Sequence, residues 1–119
     1  QLKLHVASQK ITNKTVDKIT AFISENYREQ LSLKEIAARF YISPSYLSHL
    51  FKRLTSLSVM EYLNSVRIRK AKQLLETTNL KVSEISDRTG FATSAHFSRM
   101  FKLGTGLAPK QYRIFYKKE

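Results

Sequence analysis

Two short stretches carry polar side chains in a pattern suited to recognition through hydrogen bonds. Between Pro44 and Leu54 the apolar residues Leu47, Leu50, Phe51 and Leu54 recur at helical spacing. That leaves Ser45, Tyr46, Ser48, His49 and Lys52 on the opposite face, with Arg53 beside them. From about Ser94 to Lys102 the same geometry sets Phe97 and Phe101 inward and Ser94, Ala95, His96, Ser98, Arg99 and Lys102 outward. An arginine such as Arg99 can grip guanine O6 and N7 with two hydrogen bonds. Serine hydroxyls pair with any base edge and so discriminate weakly. His49 can donate or accept, and its protonation responds to pH. By direct readout the first stretch is therefore the less selective. Lys52, Arg53 and Lys102 suit phosphate oxygens instead, as do helix N-terminal amides at Ser32, Ser43 and Thr93.

Other chemistry is poorly provided for. There is no cysteine among the 119 residues, which excludes disulfides, thiolate catalysis and cysteine zinc sites. The three histidines, His5, His49 and His96, lie too far apart for ligand spacing, so no metal and no cofactor is expected. No HExxH, P-loop or GxSxG pattern occurs, and an enzyme is set aside. The charge is decisive in another direction. Lys and Arg number 21 against 9 Asp and Glu, a formal +12, which calls for a polyanionic partner. The acids gather at Asp17, Glu25, Glu29, Glu35, Glu84 and Asp87, away from the two polar faces.

The elements that position these residues follow from periodicity and caps. Residues 1–14 read as a linker or tail. Val16, Ile19, Phe22, Ile23 and Tyr27 give an amphipathic helix. Ser32 and Glu35 form a capping-box pattern before Leu33, Ile36, Ala37 and Phe40. Ser43-Pro44 starts the next helix, with proline where its missing N–H costs nothing. Ser58 and Glu61 cap the longest helix, to about Thr77, with Tyr62, Leu63, Val66, Ala71, Leu74 and Leu75 inward. Its Arg67, Arg69, Lys70 and Lys72 read as a solvated face sooner than as phosphate contacts. Short helices from Val82, near Thr93 and from Ala108-Pro109 complete seven, with no strand. Only 3 Gly and 2 Pro occur, which suits an all-α fold.

An internal repeat organises them. Phe51-Lys52 matches Phe101-Lys102, Thr55 matches Thr105 and Tyr62 matches Tyr112, each displaced by 50 positions; Glu35-Ile36 matches Glu84-Ile85 at a displacement of 49. The second copy thus has one extra residue between its two short helices. A short helix, a tight connection and a second helix apolar on one face is the layout of a helix-turn-helix. Phe51, Phe101, Leu47, Phe97, Tyr62 and Tyr112 are assigned to the core, and Gly90 to backbone geometry.

The stretch GFATSAHFSRMFKLGTGLAPKQYR (90–113), with SPSYLSHLFKR (43–53), resembles the AraC/XylS-type bacterial transcription regulators over roughly residues 15–116. The resemblance implies two helix-turn-helix units (about 32–54 and 82–104) joined by a long helix (about 58–77); residues 117–119 read as a basic tail. It implies sequence-specific binding to double-stranded promoter DNA, with two recognition helices in adjacent major-groove segments. Base contacts would come chiefly from Ser45, Ser48 and His49 in one helix and Ala95, Ser98 and Arg99 in the other. It further implies a cytoplasmic bacterial protein, contact with RNA polymerase, and a separate N-terminal sensing or dimerising domain. The start at Gln1 instead of Met fits a piece of something longer. Tyr41 departs from the pattern, standing where many members have glycine in the first turn. An RNA-binding module is disfavoured because no GXXG loop or RNP motif appears. A membrane-surface module is disfavoured because the charge is not concentrated on one strongly amphipathic helix.

Overall fold

Apolar residues at three- and four-residue steps, rarely interrupted by glycine or proline, produce one helix after another. A computed structural model describes the backbone of residues 2–118 and the side chains of residues 13–118. Among the described residues there are seven helices and no strand. They are α1 (Leu2–Asn26), α2 (Leu33–Arg39), α3 (Pro44–Thr55), α4 (Val59–Thr77), α5 (Val82–Arg88), α6 (Ser94–Thr105) and α7 (Pro109–Tyr116). The segment 1–14, expected as a linker or tail, is helical from Leu2 onward. No glycine or proline occurs before Asn26 to stop the helix.

The chain divides into two compact units: Gln1–Asn26 with Leu31–Tyr62, and Tyr27–Gln30 with Leu63–Glu119. In the first unit, Ile19, Ile23, Ile36, Leu47 and Phe51 are buried. Phe22 meets the edge of Phe40 at 5.8 Å, and the Arg39 guanidinium lies over Phe22 at 5.2 Å. Removing a side chain such as Phe51 would cost about 3–5 kcal/mol. Leu54, expected inward, is 39% exposed. It lies in the last turn of α3.

The second unit packs Ile68, Ala71, Leu75, Ile85, Phe91, Phe97, Phe101 and Tyr112 into one cluster. A buried cation pins its edge. Arg67 is only 5% exposed, so it does not belong to the solvated face assigned to the basic run of α4. Its Nε donates to the Tyr27 carbonyl at 2.9 Å and its Nη2 to the Glu29 carbonyl at 2.8 Å. Burial pushes its pKa below the ordinary arginine value. The guanidinium remains charged, because an arginine in a protein does not give up its proton. Gly90, at φ +91°, completes this corner. A Cβ there would lie 2.4 Å from the Tyr27 carbonyl oxygen and 2.9 Å from Arg67 Nε. Glycine is required twice over, for the left-handed backbone and for the space.

The C-terminal residues are tied down. The Tyr112 hydroxyl donates to Glu76 at 2.6 Å, and Glu76 also pairs with Lys118 at 3.5 Å. Lys117 donates to the Thr78 carbonyl at 2.9 Å and also bonds the Asn79 side chain. The two described residues of the basic tail therefore have partners in the second unit; Glu119 lies outside the described residues.

Candidate nucleic-acid interface

Each of the two units contains a short helix, a turn and a twelve-residue helix, α2–α3 and α5–α6. The repeat seen in the sequence is a repeat of structural roles. Thr55 Oγ1 donates to the Phe51 carbonyl and accepts from Leu57 N–H, while Thr105 does the same with Phe101 and Leu107. Tyr62 packs edge-on to Phe51 at 5.7 Å, and Tyr112 to Phe101 at 5.2 Å. The turns also correspond. Ile42 N–H donates to the Ala37 carbonyl, and Phe91 N–H to the Ser86 carbonyl. The extra residue of the second copy therefore falls after Phe91.

Cap chemistry fixes where α3 and α6 begin. Ser43 Oγ accepts from Tyr46 N–H at 3.1 Å with Pro44 following, and Thr93 Oγ1 accepts from His96 N–H at 3.0 Å. Ser32 caps α2 through Glu35 N–H, and its hydroxyl also donates to the Glu35 carboxylate at 3.1 Å. That N-terminus thus already has an anion beside it, unlike those of α3 and α6, whose first turns carry no acid.

Beyond the caps, α3 buries Leu47, Leu50 and Phe51, and α6 buries Phe97 and Phe101. Ser45, Tyr46, Ser48, His49, Lys52 and Arg53 are all exposed on α3; so are Ser94, Ala95, Arg99 and Lys102 on α6, whereas Ser98 is half-buried. His96 packs edge-on against Phe91 at 5.7 Å, a local structural role. Arg99 and Lys102 border a depression of about 530 Å³ completed by Leu103 and Gly106.

The two repeated lysines differ in their surroundings. Lys52 lies 3.9 Å from Glu61, both side chains being mostly exposed. Such a pair contributes little to stability but offsets part of the local positive charge. Glu61 also completes the cap of α4, accepting from Ser58 N–H at 2.8 Å. That bond, then the Ser58 hydroxyl, then Lys52 hold its carboxyl below the ordinary glutamate range. In the second unit the corresponding cap belongs to Gln111, which accepts from Ala108 N–H at 3.2 Å. The cap residue of α7 is thus a neutral amide where that of α4 is a carboxylate. One outward residue escaped the site read from the sequence. Tyr41, in the α2–α3 turn, is 95% exposed and holds a left-handed backbone at φ +58°.

The helix-turn-helix domain family matches residues 36–114. The chain belongs to that family, in its AraC/XylS-type branch. Among curated proteins, it is 42% identical over 98 residues to YijO, an HTH-type transcriptional regulator of Escherichia coli strain K12, covering 82% of this chain and 35% of that protein. It thus spans about a third of that relative's length. Among solved structures, the C-terminal domain of AraT, a response regulator from Geobacillus stearothermophilus, superposes with a TM-score of 0.84 at 32% identity, covering 87% of each chain. The DNA-binding domain of the transcription factor AdpA, solved in complex with a target DNA, gives 0.81 at 30% identity and covers 85% of this chain and 91% of that one. Within the AraC/XylS-type family, two helix-turn-helix units and an all-helical fold are shared architecture, and this chain has both.

Proposed function

We propose that this chain is the double-stranded DNA-binding domain of a bacterial transcription regulator. Helices α3 and α6 enter adjacent major-groove segments of a promoter site. Ser45, Tyr46, Ser48 and His49, with Ser94, Ala95, Ser98 and Arg99, read base edges. Lys52, Arg53 and Lys102, with the capped N-termini at Ser43 and Thr93, hold phosphates. Ser32 fits that role least, because Glu35 already occupies its hydroxyl.

The observation that carries the reading is the duplicated helix that spends one face on phenylalanine and leaves the other polar or basic. The net charge of +12 supports it. The role is binding and not catalysis. A sensing or dimerising domain elsewhere in a longer polypeptide, contact with RNA polymerase and action in the bacterial cytoplasm belong to the same proposal.

Titration at matched salt with duplex DNA, structured RNA and anionic vesicles tests it. Duplex should bind most tightly, and footprinting on a selected duplex should show protection of two adjacent segments. Preference for RNA or vesicles would overturn the assignment.

A further inference from the structure

The repeat exposes an asymmetry that the fold does not require. The α2–α3 and α5–α6 turns each pass through the left-handed region, at Tyr41 (φ +58°) and at Gly90 (φ +91°). The two positions correspond by the equivalent hydrogen bonds that follow them, Ile42 to Ala37 and Phe91 to Ser86. At Gly90 a side chain is sterically impossible. At Tyr41 there is open space, and the residue that fills it carries a backbone conformation that side chains resist.

The turn's backbone holds that conformation, Tyr41 N–H donating to the Ala38 carbonyl and Ile42 N–H to the Ala37 carbonyl; the side chain does not. The Tyr41 ring is 95% exposed, and its side chain takes part in no hydrogen bond or ring contact among the described residues. Such strain persists where the surrounding structure holds it, as at Ser56, the left-handed cap that ends α3, and it clusters at residues used for something besides folding. The ring stands two residues before Ser43, the cap of α3, and Tyr46 is exposed in the first turn of the same helix.

We propose that Tyr41 is a further DNA-contacting residue of the first helix-turn-helix, its phenol donating a hydrogen bond to a phosphate oxygen beside the groove that α3 enters. The inference rests on the function proposed above and adds to it a contact that the second unit lacks.

Two variants test it, with the parent measured on a duplex selected from a random library and on an unrelated duplex. Tyr41→Gly relieves the left-handed strain and should raise Tm by about 4 °C. It should also weaken binding to both duplexes by about three- to tenfold, because a phosphate contact is blind to sequence. Tyr41→Phe keeps ring and strain, so Tm stays put while affinity falls to a similar extent. In both variants the slope of affinity against salt is unchanged, since a phenol neutralises no charge. A Tyr41→Gly protein that binds both duplexes like the parent, or that melts below it, overturns the proposal. Parental affinity in Tyr41→Phe overturns the phenol–phosphate contact, as does a loss confined to the selected duplex. A parent that binds neither duplex overturns the proposed function itself and Tyr41's role with it.

Discussion

Arg99 and Lys52 are both exposed cations on helices that bury phenylalanine, yet their truncation should cost different things. Arg99→Ala should lose about 1–3 kcal/mol on the preferred duplex and relax base choice at one or two positions. Lys52→Ala should weaken all sequences alike. Equal losses for Arg99→Ala on preferred and random duplexes, in a fluorescence titration, would remove its base-reading role. The Lys52–Glu61 pair adds a second test. Glu61→Gln keeps the cap of α4, since Gln111 caps α7 in the same way. Losing the neighbouring carboxylate should raise affinity for any duplex by about twofold, an effect that added salt erases. No change at low salt would mean that Lys52 does not face phosphate. The outward residues of α3 and α6 were legible because helical spacing separates faces without reference to partners. Tyr41 was not, because its exposure and φ depend on how the turn closes.

Within α4, neighbouring arginines have unlike fates. Arg67→Ala removes a buried bond to the Tyr27 carbonyl and a part-buried one to the Glu29 carbonyl, and should destabilise the second unit by about 3 kcal/mol. Arg69→Ala, on the exposed side, should stay within about 0.5 kcal/mol of the parent in chemical denaturation. Similar losses in the two would contradict the clamp. Sequence alone could not separate them, since both stand in one basic run and the carbonyls that bind Arg67 lie 40 and 38 residues away. Caps were easier to anticipate, because Ser43, Ser58 and Thr93 act on amides three residues along. Helix α7 carries a pH signature. Burial, then the bond to Glu76, push the Tyr112 phenol up to about 12. A raised value favours the protonated form in the fold. Its stabilisation is therefore complete below the ordinary tyrosine pKa near 10 and is lost as pH climbs from there towards 12. Denaturation midpoints from pH 9 to 12 should fall in the parent and fall less steeply in Tyr112→Phe; parallel curves would show that the phenol is not the group responsible.

At the scale of the whole chain, the question is whether a +12 protein binds DNA as a polycation or as a reader. The seven helices, the repeat and the two recognition faces could all be anticipated from local pattern. The long-range ties, of Arg67 to residues 27–29 and of the C-terminal lysines to the end of α4, required the fold, as did the extent of α1 and the conformation of Tyr41. Phosphate contacts alone would give affinity with a steep salt dependence. Neutralising about 6–8 phosphates puts the log–log slope near −5 to −7, and a slope shallower than about −2 would contradict that number of contacts. Specificity is the harder claim, because it needs the side chains on α3 and α6 and not merely their charge. The most direct measurement is the ratio of equilibrium affinities for a duplex selected from a random library and a scrambled duplex of the same length and composition, taken at several salt concentrations. The selected duplex should bind about a thousandfold more tightly near physiological salt, with the preference surviving as salt rises. Equal affinities at every salt concentration would contradict base reading by the two helices.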